Sequence, residues 1–296
     1  MNLNLTEIPI QKLHSLSING VETSILRLDL VHPIISGNKW FKIKFYLEEA
    51  IKYNKYGIMS FGGAYSNHIV ALAFACNKRG LKSIGFIRGE KPAQLSPTLI
   101  AAASYGMELH FISREKYNNK NNLFKEFDIQ NWLLVNEGGY GTLGAEGAAT
   151  ITELFEQNSY SNIICSVGTG TMIAGIIKRA NEHQQILGIS ALKNNFSILN
   201  EMESLLTETD KKKNYFINHE YHFGGYAKHT KLLINFMNNL WKIEQLKTDM
   251  VYTGKLLFAT TELINNKYFK PKSNILIIHS GGLQGNSSLS NGQLLF

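Results

Sequence analysis

Short, unbroken apolar runs alternate in this chain with stretches whose apolar residues recur at helical spacing. The run at 275–278, Ile-Leu-Ile-Ile, carries no polar residue, and the runs at 57–61 and 162–166 are mostly apolar. A strand with one face in water would alternate apolar and polar residues, so these strands are expected to be covered on both faces. Strands of this kind separated by helices predict an α/β fold built on parallel sheets.

The same alternation, followed along the chain, predicts the helices and strands and their division into two lobes. Two polar segments, a predicted surface loop at 118–122 and a longer region at 193–220, interrupt it without the composition of a Pro/Ser linker. We therefore expect two interleaved α/β lobes, with residues 1–50 and 150–296 in the larger lobe and 51–149 in the smaller. The predicted helices are one that begins near Lys39 and those at 66–78, 97–105, 144–155 and 172–180, and the predicted strands are 57–61, 81–87, 108–112, 132–135, 162–166, 186–189 and 275–278.

Bulk composition narrows the class of protein. The 296 residues are 44% hydrophobic and 18% charged, which is typical of a globular protein. The sequence has no apolar stretch of about 18 residues, as a membrane span needs, and residues 1–7 lack the features of a signal peptide. Its two cysteines, Cys76 and Cys165, give neither a disulfide framework nor metal-ligand spacing. We expect a cytoplasmic protein without a metal site.

The formal net charge of +7 raises the question of nucleic-acid binding. The lysines are scattered, however, and the densest run, at 211–213, stands beside Asp210. Single-stranded nucleic acid is bound by a clustered basic patch with aromatic platforms, and the sequence contains none. We interpret the charge as a lysine-rich surface, which also favours an anionic cofactor or the carboxylate of an amino acid.

Glycine-containing turns follow four of the predicted strands, at 62–63, 138–139, 168–170 and 281–282. Ligands of open parallel sheets bind at the carboxyl ends of the strands. One such turn is weak evidence, because glycine is common in turns of any kind. Four of them together predict a binding site along this edge.

The third of these turns has the pattern of a phosphate cradle. Gly168, Thr169, Gly170 and Thr171 stand between a strand and a helix, where free backbone amides and the positive end of the helix face one point. Neither the Gly-Lys-Ser/Thr of a nucleotide P-loop nor the glycine spacing of a dinucleotide fingerprint is present. A small phosphorylated cofactor is therefore favoured, and a plain strand–turn–helix connection is the alternative.

A single lysine ends a tight Ser-Gly-Asn-Lys turn ahead of the glycine-rich turns. Lys39 occupies this place, and Lys42 lies three residues on, on the same helix face. Ser66, Asn67 and His68 open the next helix. A desolvated lysine deprotonates readily and forms Schiff bases with carbonyl compounds. Lys39 is therefore the candidate nucleophile, and a solvated surface lysine is the alternative.

In this order, over residues 37–282, the motifs resemble those of the fold-type II pyridoxal-phosphate enzymes. Within that group they are similar to the family of 1-aminocyclopropane-1-carboxylate deaminase and D-cysteine desulfhydrase; the Val-Tyr-Thr-Gly-Lys turn at 251–255 and the His-Ser-Gly-Gly turn at 279–282 belong to the match. The resemblance implies a tryptophan synthase β-like fold with pyridoxal 5'-phosphate between two α/β lobes, the larger of which binds the cofactor. It also implies a small amino-acid substrate and a homodimer.

The resemblance implies a role for each candidate residue. Lys39 would hold the pyridoxal aldehyde as a Schiff base and then move the α-proton of the substrate, and Lys42 would contact the phosphate. A structural histidine at 68 and a core tyrosine at 226 are the alternatives for those two positions. The remaining implied roles are phosphate contact for Gly168, Thr169, Gly170 and Thr171, substrate contact for Ser66, Asn67, His68 and Gly139, contact with the cofactor ring for Asn67, Tyr252, Thr253 and Ser280, and catalysis for Ser66, Tyr226 and Tyr252 beside Lys39.

Two positions bear on the reaction. The deaminases carry a glutamate after the second tyrosine and a leucine after the histidine of the His-x-Gly-Gly turn, whereas this chain has Thr253 and Ser280. A carboxylate beside the pyridine nitrogen stabilises its protonated form, which is a strong electron sink, and a hydroxyl donates only a neutral hydrogen bond. We therefore expect β-elimination, with D-cysteine giving pyruvate, ammonia and sulfide.

Several alternatives stay open on the sequence. They are ring opening of 1-aminocyclopropane-1-carboxylate to 2-oxobutanoate, β-replacement, another D- or L-amino acid, and a protein that binds pyridoxal phosphate without turnover. A reservoir of this last kind needs few substrate contacts, and the residues that argue against it are Lys39, Ser66, Asn67 and Tyr252. The segments 91–96, 191–220 and 286–296 match the family least, which leaves the substrate undetermined.

Overall fold

The computed structural model describes residues 8–118 and 130–296, so the predicted loop at 118–122 lies, apart from Asn118, outside the described residues. The strands within these ranges are β1 (Ile10–Lys12), β2 (Glu22–Leu26), β3 (Gly57–Gly62), β4 (Lys82–Arg88), β5 (Met107–Ile112), β6 (Trp132–Val135), β7 (Asn162–Val167), β8 (Gln185–Ser190), β9 (Tyr215–Asn218) and β10 (Asn274–Ile278). The α-helices are α1 (Lys39–Lys52), α2 (Asn67–Lys78), α3 (Pro97–Ser104), α4 (Arg114–Asn118), α5 (Thr142–Ala149), α6 (Thr171–Arg179), α7 (Ile198–Glu203), α8 (Lys231–Glu244) and α9 (Thr253–Asn265).

The described strands form two sheets. One has the order β1-β2-β10-β7-β8-β9 and is parallel throughout except for β1, which pairs antiparallel with β2. The other has four parallel strands in the order β5-β4-β3-β6. Strands β3 and β7 are buried along their whole length, as their mostly apolar sequences predict. The predicted α/β class with parallel sheets is confirmed.

The two sheets draw on different parts of the chain. The six-stranded sheet takes its strands from 10–26 and 162–278, and the four-stranded sheet takes its strands from 57–135. The lobe boundaries near residues 50 and 150 stay a proposal.

Close helix packing brings the starts of α1 and α6 together. A Cβ atom on Gly147 of α5 would fall 1.9 Å from the carbonyl oxygen of Phe41 in α1, so these two helix backbones touch in a way that glycine alone permits. At the same end, Asn38 Nδ2 donates to Met172 Sδ in the first turn of α6, at 3.1 Å. Lys39 is thereby held beside the N-terminus of α6.

Several elements were not predicted: β1, β2, β9, α4, α7, α8 and α9. β1 and β9 lie at the two edges of the six-stranded sheet. β1 buries none of its residues and β9 buries one, so neither forms an apolar run. Helix α8 did carry a signal, because Thr230 caps it and Leu233 and Met237 mark its buried face. The helix predicted at 144–155 ends at Ala149 and continues as a 3-10 helix.

No helix in the ranges 8–118 and 130–296 has both the length and the apolar character that a membrane crossing demands.

Candidate active site

A cleft of about 600 Å³ opens where strands of both sheets end. Its walls are the turns that follow β3, β7 and β10, the start of α1, and two segments bearing tyrosines. The predicted site residues that line it are Lys39, Lys42, Ser66, Asn67, His68, Gly168, Thr169, Gly170, Tyr226, Tyr252 and Ser280.

Three predicted site residues do not line this cleft. Gly139 lies behind its wall, where an added Cβ would sit 3.1 Å from Lys42 Cβ. Thr171 is fully buried, with its hydroxyl 2.9 Å from that of Thr169. Thr253 is also fully buried and bonds to Asp249, so the structure does not place its hydroxyl among the cleft-lining groups.

The lysine turn is built on close contact with the turn after β10. Gly37 has φ +71°, and a Cβ there would fall 1.7 Å from the carbonyl oxygen of Ser280. The amide of Asn38 donates to that same oxygen at 3.0 Å. The Asn38 side chain then accepts from Lys39 Nζ at 2.7 Å. Glycine at position 37 therefore lets the lysine turn dock on the end of the large sheet.

Burial makes positive charge unfavourable on both lysines of the cleft, Lys39 and Lys42. Burial lowers the pKa of Lys39 to about 8, although the charge of Asp249 acts in the opposite direction. Burial, and then repulsion from Lys39, lowers the pKa of Lys42 well below its ordinary value. In the part of the chain that the structure describes, neither ammonium has a carboxylate within salt-bridge distance. An anion bound in the cleft would stabilise the protonated form of both lysines.

The helix α6 supplies a place for such an anion. Gly168, Thr169 and Gly170 line the cleft at its N-terminus, and Gly170 has the left-handed φ of +72°. The first amides of a helix have no intrahelical acceptor and favour negative charge. A phosphate here would lie between free amides and the buried lysines. The predicted phosphate cradle thus faces the predicted nucleophile.

Two polar side chains at the start of α2 keep hydrogen-bonding capacity for a ligand. Asn67 Nδ2 donates to the carbonyl oxygen of Gly282 at 3.0 Å, while its Oδ1 is buried and, among the described residues, unbonded. Ser66 caps α2 by accepting from the amide of Ile69 at 3.3 Å, which leaves its hydroxyl hydrogen for a ligand. Together with the lysines and the α6 terminus, these groups fit a small phosphorylated carbonyl compound.

His68 is held in one neutral form. Ser60 Oγ donates to the carbonyl oxygen of Val135 at 2.8 Å, so it accepts from His68 Nε2 at 2.8 Å. Burial and the two lysines lower the pKa of His68 to about 3. His68 therefore brings no positive charge to a substrate carboxylate at neutral pH.

An aspartate that the sequence did not single out organises the tyrosine wall. Asp249 is 1% exposed. Its Oδ2 accepts from the amides of Val251 and Tyr252 at 2.8 and 2.9 Å, and its Oδ1 accepts from the amide and hydroxyl of Thr253 at 2.9 and 2.7 Å. This turn places Tyr252 against Gly168, where an added Cβ would sit 3.1 Å from the ring. The sequence signal that could have identified this turn is an aspartate, Asp249, four residues before the threonine that begins α9.

Two further cleft residues were also missed. Arg88 ends β4 and Glu137 follows β6, and both line the cleft. The rule that ligands bind at the carboxyl ends of parallel strands applies to both positions. Burial and the neighbouring Glu137 raise the pKa of Tyr226, whose ring meets that of Tyr252 edge to face at 6.3 Å.

A parallel α/β fold whose cleft sets a lysine of lowered pKa against a phosphate cradle defines an enzyme class that uses a phosphorylated aldehyde. The chain belongs to the pyridoxal-phosphate-dependent enzyme family, whose model matches residues 1–281. Its cofactor is pyridoxal 5'-phosphate, and its fold is that of the fold-type II members.

Known proteins resemble the chain over most of its length. A Thermotoga maritima protein, provisionally named a 1-aminocyclopropane-1-carboxylate deaminase, is 28% identical, with 96% of each chain covered. An Arabidopsis thaliana protein named as bifunctional D-cysteine desulfhydrase/1-aminocyclopropane-1-carboxylate deaminase, mitochondrial, is also 28% identical, covering 90% of this chain and 74% of its own. The crystal structure of an ACC deaminase homologue superposes with a TM-score of 0.81 at 24% identity, covering 96% of this chain and 92% of its own.

The lowered pKa of Lys39 predicts the pH dependence of cofactor capture. Only the neutral amine attacks a carbonyl, so the rate at which cofactor-free protein captures pyridoxal phosphate is expected to rise with pH and to be half-maximal near pH 8. Stopped-flow absorbance of the bound cofactor measures this rate. A rate that is half-maximal only above about pH 10, as for an ordinary lysine, would contradict the prediction.

Proposed function

We propose that this enzyme catalyses β-elimination and deamination of a small amino acid, with D-cysteine giving pyruvate, ammonia and sulfide. The observation that carries the proposal is a pair of hydroxyls at the ends of β7 and β10. Ser166 Oγ and Ser280 Oγ lie 3.1 Å apart, and both residues line the cleft. A hydroxyl pair holds a ring nitrogen by a neutral hydrogen bond, which favours reactions with a good leaving group.

The nearby carboxylate does not change this argument. Asp249 accepts a hydrogen bond from the amide of Tyr252. Its two oxygens together accept four hydrogen bonds, which is about the capacity of a carboxylate. It therefore has no free acceptor site for a ring nitrogen. Its charge acts on Lys39, whose protonated form it favours.

The residues of the cleft divide the work of the reaction. Pyridoxal phosphate, when bound, supplies an aldehyde that condenses with amines and a conjugated ring that withdraws electrons from the substrate α-carbon. Burial lowers the pKa of Lys39 to about 8, which favours its neutral amine, and Lys39 would take the proton from the α-carbon of the substrate. Lys42 and the start of α6 bind the phosphate. Ser66, at the N-terminus of α2, donates to the substrate carboxylate.

A second activity has specific support. The Thermotoga relative is named as a 1-aminocyclopropane-1-carboxylate deaminase, and the Arabidopsis relative is named for both reactions. Ring opening of that substrate to 2-oxobutanoate and ammonia uses the same lysine. The hydroxyl at Ser280 is the reason to place it second.

Release of keto acid from a set of amino acids tests the proposal. With D-cysteine, L-cysteine, D-serine and 1-aminocyclopropane-1-carboxylate as substrates, kcat/KM for D-cysteine is expected to exceed that for the cyclopropane by at least about tenfold. Ser280→Leu and Ser280→Ala, which both remove the hydroxyl, are expected to lower D-cysteine turnover, and Ser280→Thr, which keeps a hydroxyl, is the matched control. Turnover of the cyclopropane with none of D-cysteine would overturn the proposal.

We also infer that the enzyme works as a cytoplasmic homodimer. Cys76 and Cys165 are both buried free thiols, which suits a reducing compartment. Exposed apolar side chains such as Phe216, Leu232 and Ile243 are compatible with a subunit contact, and twofold dimers are the commonest oligomers. Light scattering in reducing buffer distinguishes the dimer from a monomer.

A further inference from the structure

Among the residues that the structure describes, one buried lysine lies outside the cleft. Lys255, in the first turn of α9, is 1% exposed. Its Nζ donates to the carbonyl oxygens of Gly225 at 2.7 Å, His222 at 2.9 Å and Ala191 at 3.4 Å. These bonds use all three N–H donors of the ammonium. No carboxylate of the described ranges lies within salt-bridge distance of it, so its hydrogen-bond partners are backbone oxygens. The more distant charge of Asp249 also favours the protonated form, whereas burial lowers the pKa of Lys255 to about 8.

Two of these acceptors belong to an unusual turn. Between His222 and Lys228, the φ angles of Phe223, Gly224, Gly225 and Ala227 are +52°, +95°, +114° and +53°. Residues with side chains rarely adopt such values, and a backbone of this kind persists only where its surroundings hold it. Tyr226 sits in the middle of the turn and lines the cleft.

We propose that the ammonium of Lys255 acts as a built-in cation that organises these carbonyl oxygens and so positions Tyr226 at the active site. Lys255 does not line the cleft, so it acts through the turn and is a positioning residue. The inference rests on the proposed function only in giving Tyr226 a substrate contact. Carbonyl oxygens that converge on one point also suit a free monovalent cation. Such a cation could replace the charge of Lys255 without its side chain, so the two contributions can be tested separately.

Two variants separate the charge from the packing. Lys255→Ala leaves a carbonyl-lined hole that ammonium or potassium can enter, whereas Lys255→Met fills the hole with an apolar chain. Lys231→Ala removes an exposed lysine at the start of α8 and is the matched control. Hydrogen exchange of peptides covering 222–228 reports on the turn without any substrate.

In tetramethylammonium chloride, Lys255→Ala is expected to raise exchange at 222–228 about tenfold. The KM of the best substrate is expected to rise about tenfold, with kcat changed less than about threefold. The absorption of bound cofactor is expected to stay unchanged. About 100 mM ammonium or potassium, which suits a weak carbonyl-lined site, restores both exchange and KM in Lys255→Ala but not in Lys255→Met.

Other outcomes would overturn the proposal. One is a Lys255→Ala variant that responds equally to ammonium and to tetramethylammonium; another is faster exchange spread evenly over α9 and β10, which indicates loss of packing alone. If Lys255→Ala does not fold in tetramethylammonium, folding in ammonium supports the proposal, and failure in both salts while Lys255→Met folds overturns it. Because exchange needs no substrate, the result stands even if the enzyme proves to act on another amino acid.

Discussion

Alanine in place of Lys39 is expected to lower turnover at least about 10³-fold, whichever amino acid is the substrate. The change removes the amine whose pKa burial lowers to about 8. In the role that we propose for Lys39, its removal takes away both the group that captures the cofactor aldehyde and the base that takes the α-proton. Lys42 is a poor replacement, because its stem is packed against the backbone at Gly139.

Two measurements check this result. Turnover is followed as keto-acid release, and the absorption band of the lysine-bound cofactor is expected to disappear. Lys52→Ala, an exposed lysine at the other end of α1, is the control. Lys39→Arg keeps a positive charge and is expected to be as inactive as the alanine variant, since an arginine does not deprotonate. A Lys39→Ala rate within about tenfold of the wild type would assign the chemistry to another group.

Alanine in place of Asp249 is expected to lower the free energy of unfolding by about 3–5 kcal/mol. Four donors lose their acceptor at once: the amides of Val251, Tyr252 and Thr253, and the Thr253 hydroxyl. A buried donor left unpaired pays its full desolvation cost. Because the same turn sets Tyr252 against Gly168, cofactor affinity is expected to fall as well.

Urea unfolding of the cofactor-free protein gives the stability effect, and titration with pyridoxal phosphate gives the affinity. Asp249→Asn keeps one acceptor oxygen and is expected to lose less than the alanine variant. Glu182→Ala, at an exposed carboxylate, is the control. A loss below about 1 kcal/mol for Asp249→Ala, the size of one ordinary hydrogen bond, would show that the turn is held by other contacts.

The buried position of Asp249 also revises the two-residue comparison drawn from the sequence. Glutamate at position 253 would set a second carboxylate against Asp249, whose Oδ1 lies 2.7 Å from the present Thr253 hydroxyl. Like charges buried together are unfavourable. Position 280 lines the cleft, while position 253 supports the turn beneath it. Of these two positions, Ser280 is therefore the one that we propose influences which reaction is catalysed.

Local signals were sufficient for the buried strands β3 and β7. β3 and β7 are buried on both faces, so their sequences are apolar runs whatever their partners. The glycine turns after them were equally visible. The edge strand β1 buries no residue, so nothing in its composition separates it from a loop.

The sequence by itself determined the α/β class and the glycine turns at the strand ends, and it proposed Lys39 as the reactive amine, because each depends on residues close together in the chain. The tertiary structure decided which groups meet. Asn38 joins Ser280 across about 240 residues of chain, and Lys255 joins Gly225 through a turn that has no regular pattern. Such contacts depend on how the sheets bring distant turns together, and that arrangement has no local period for a sequence to display.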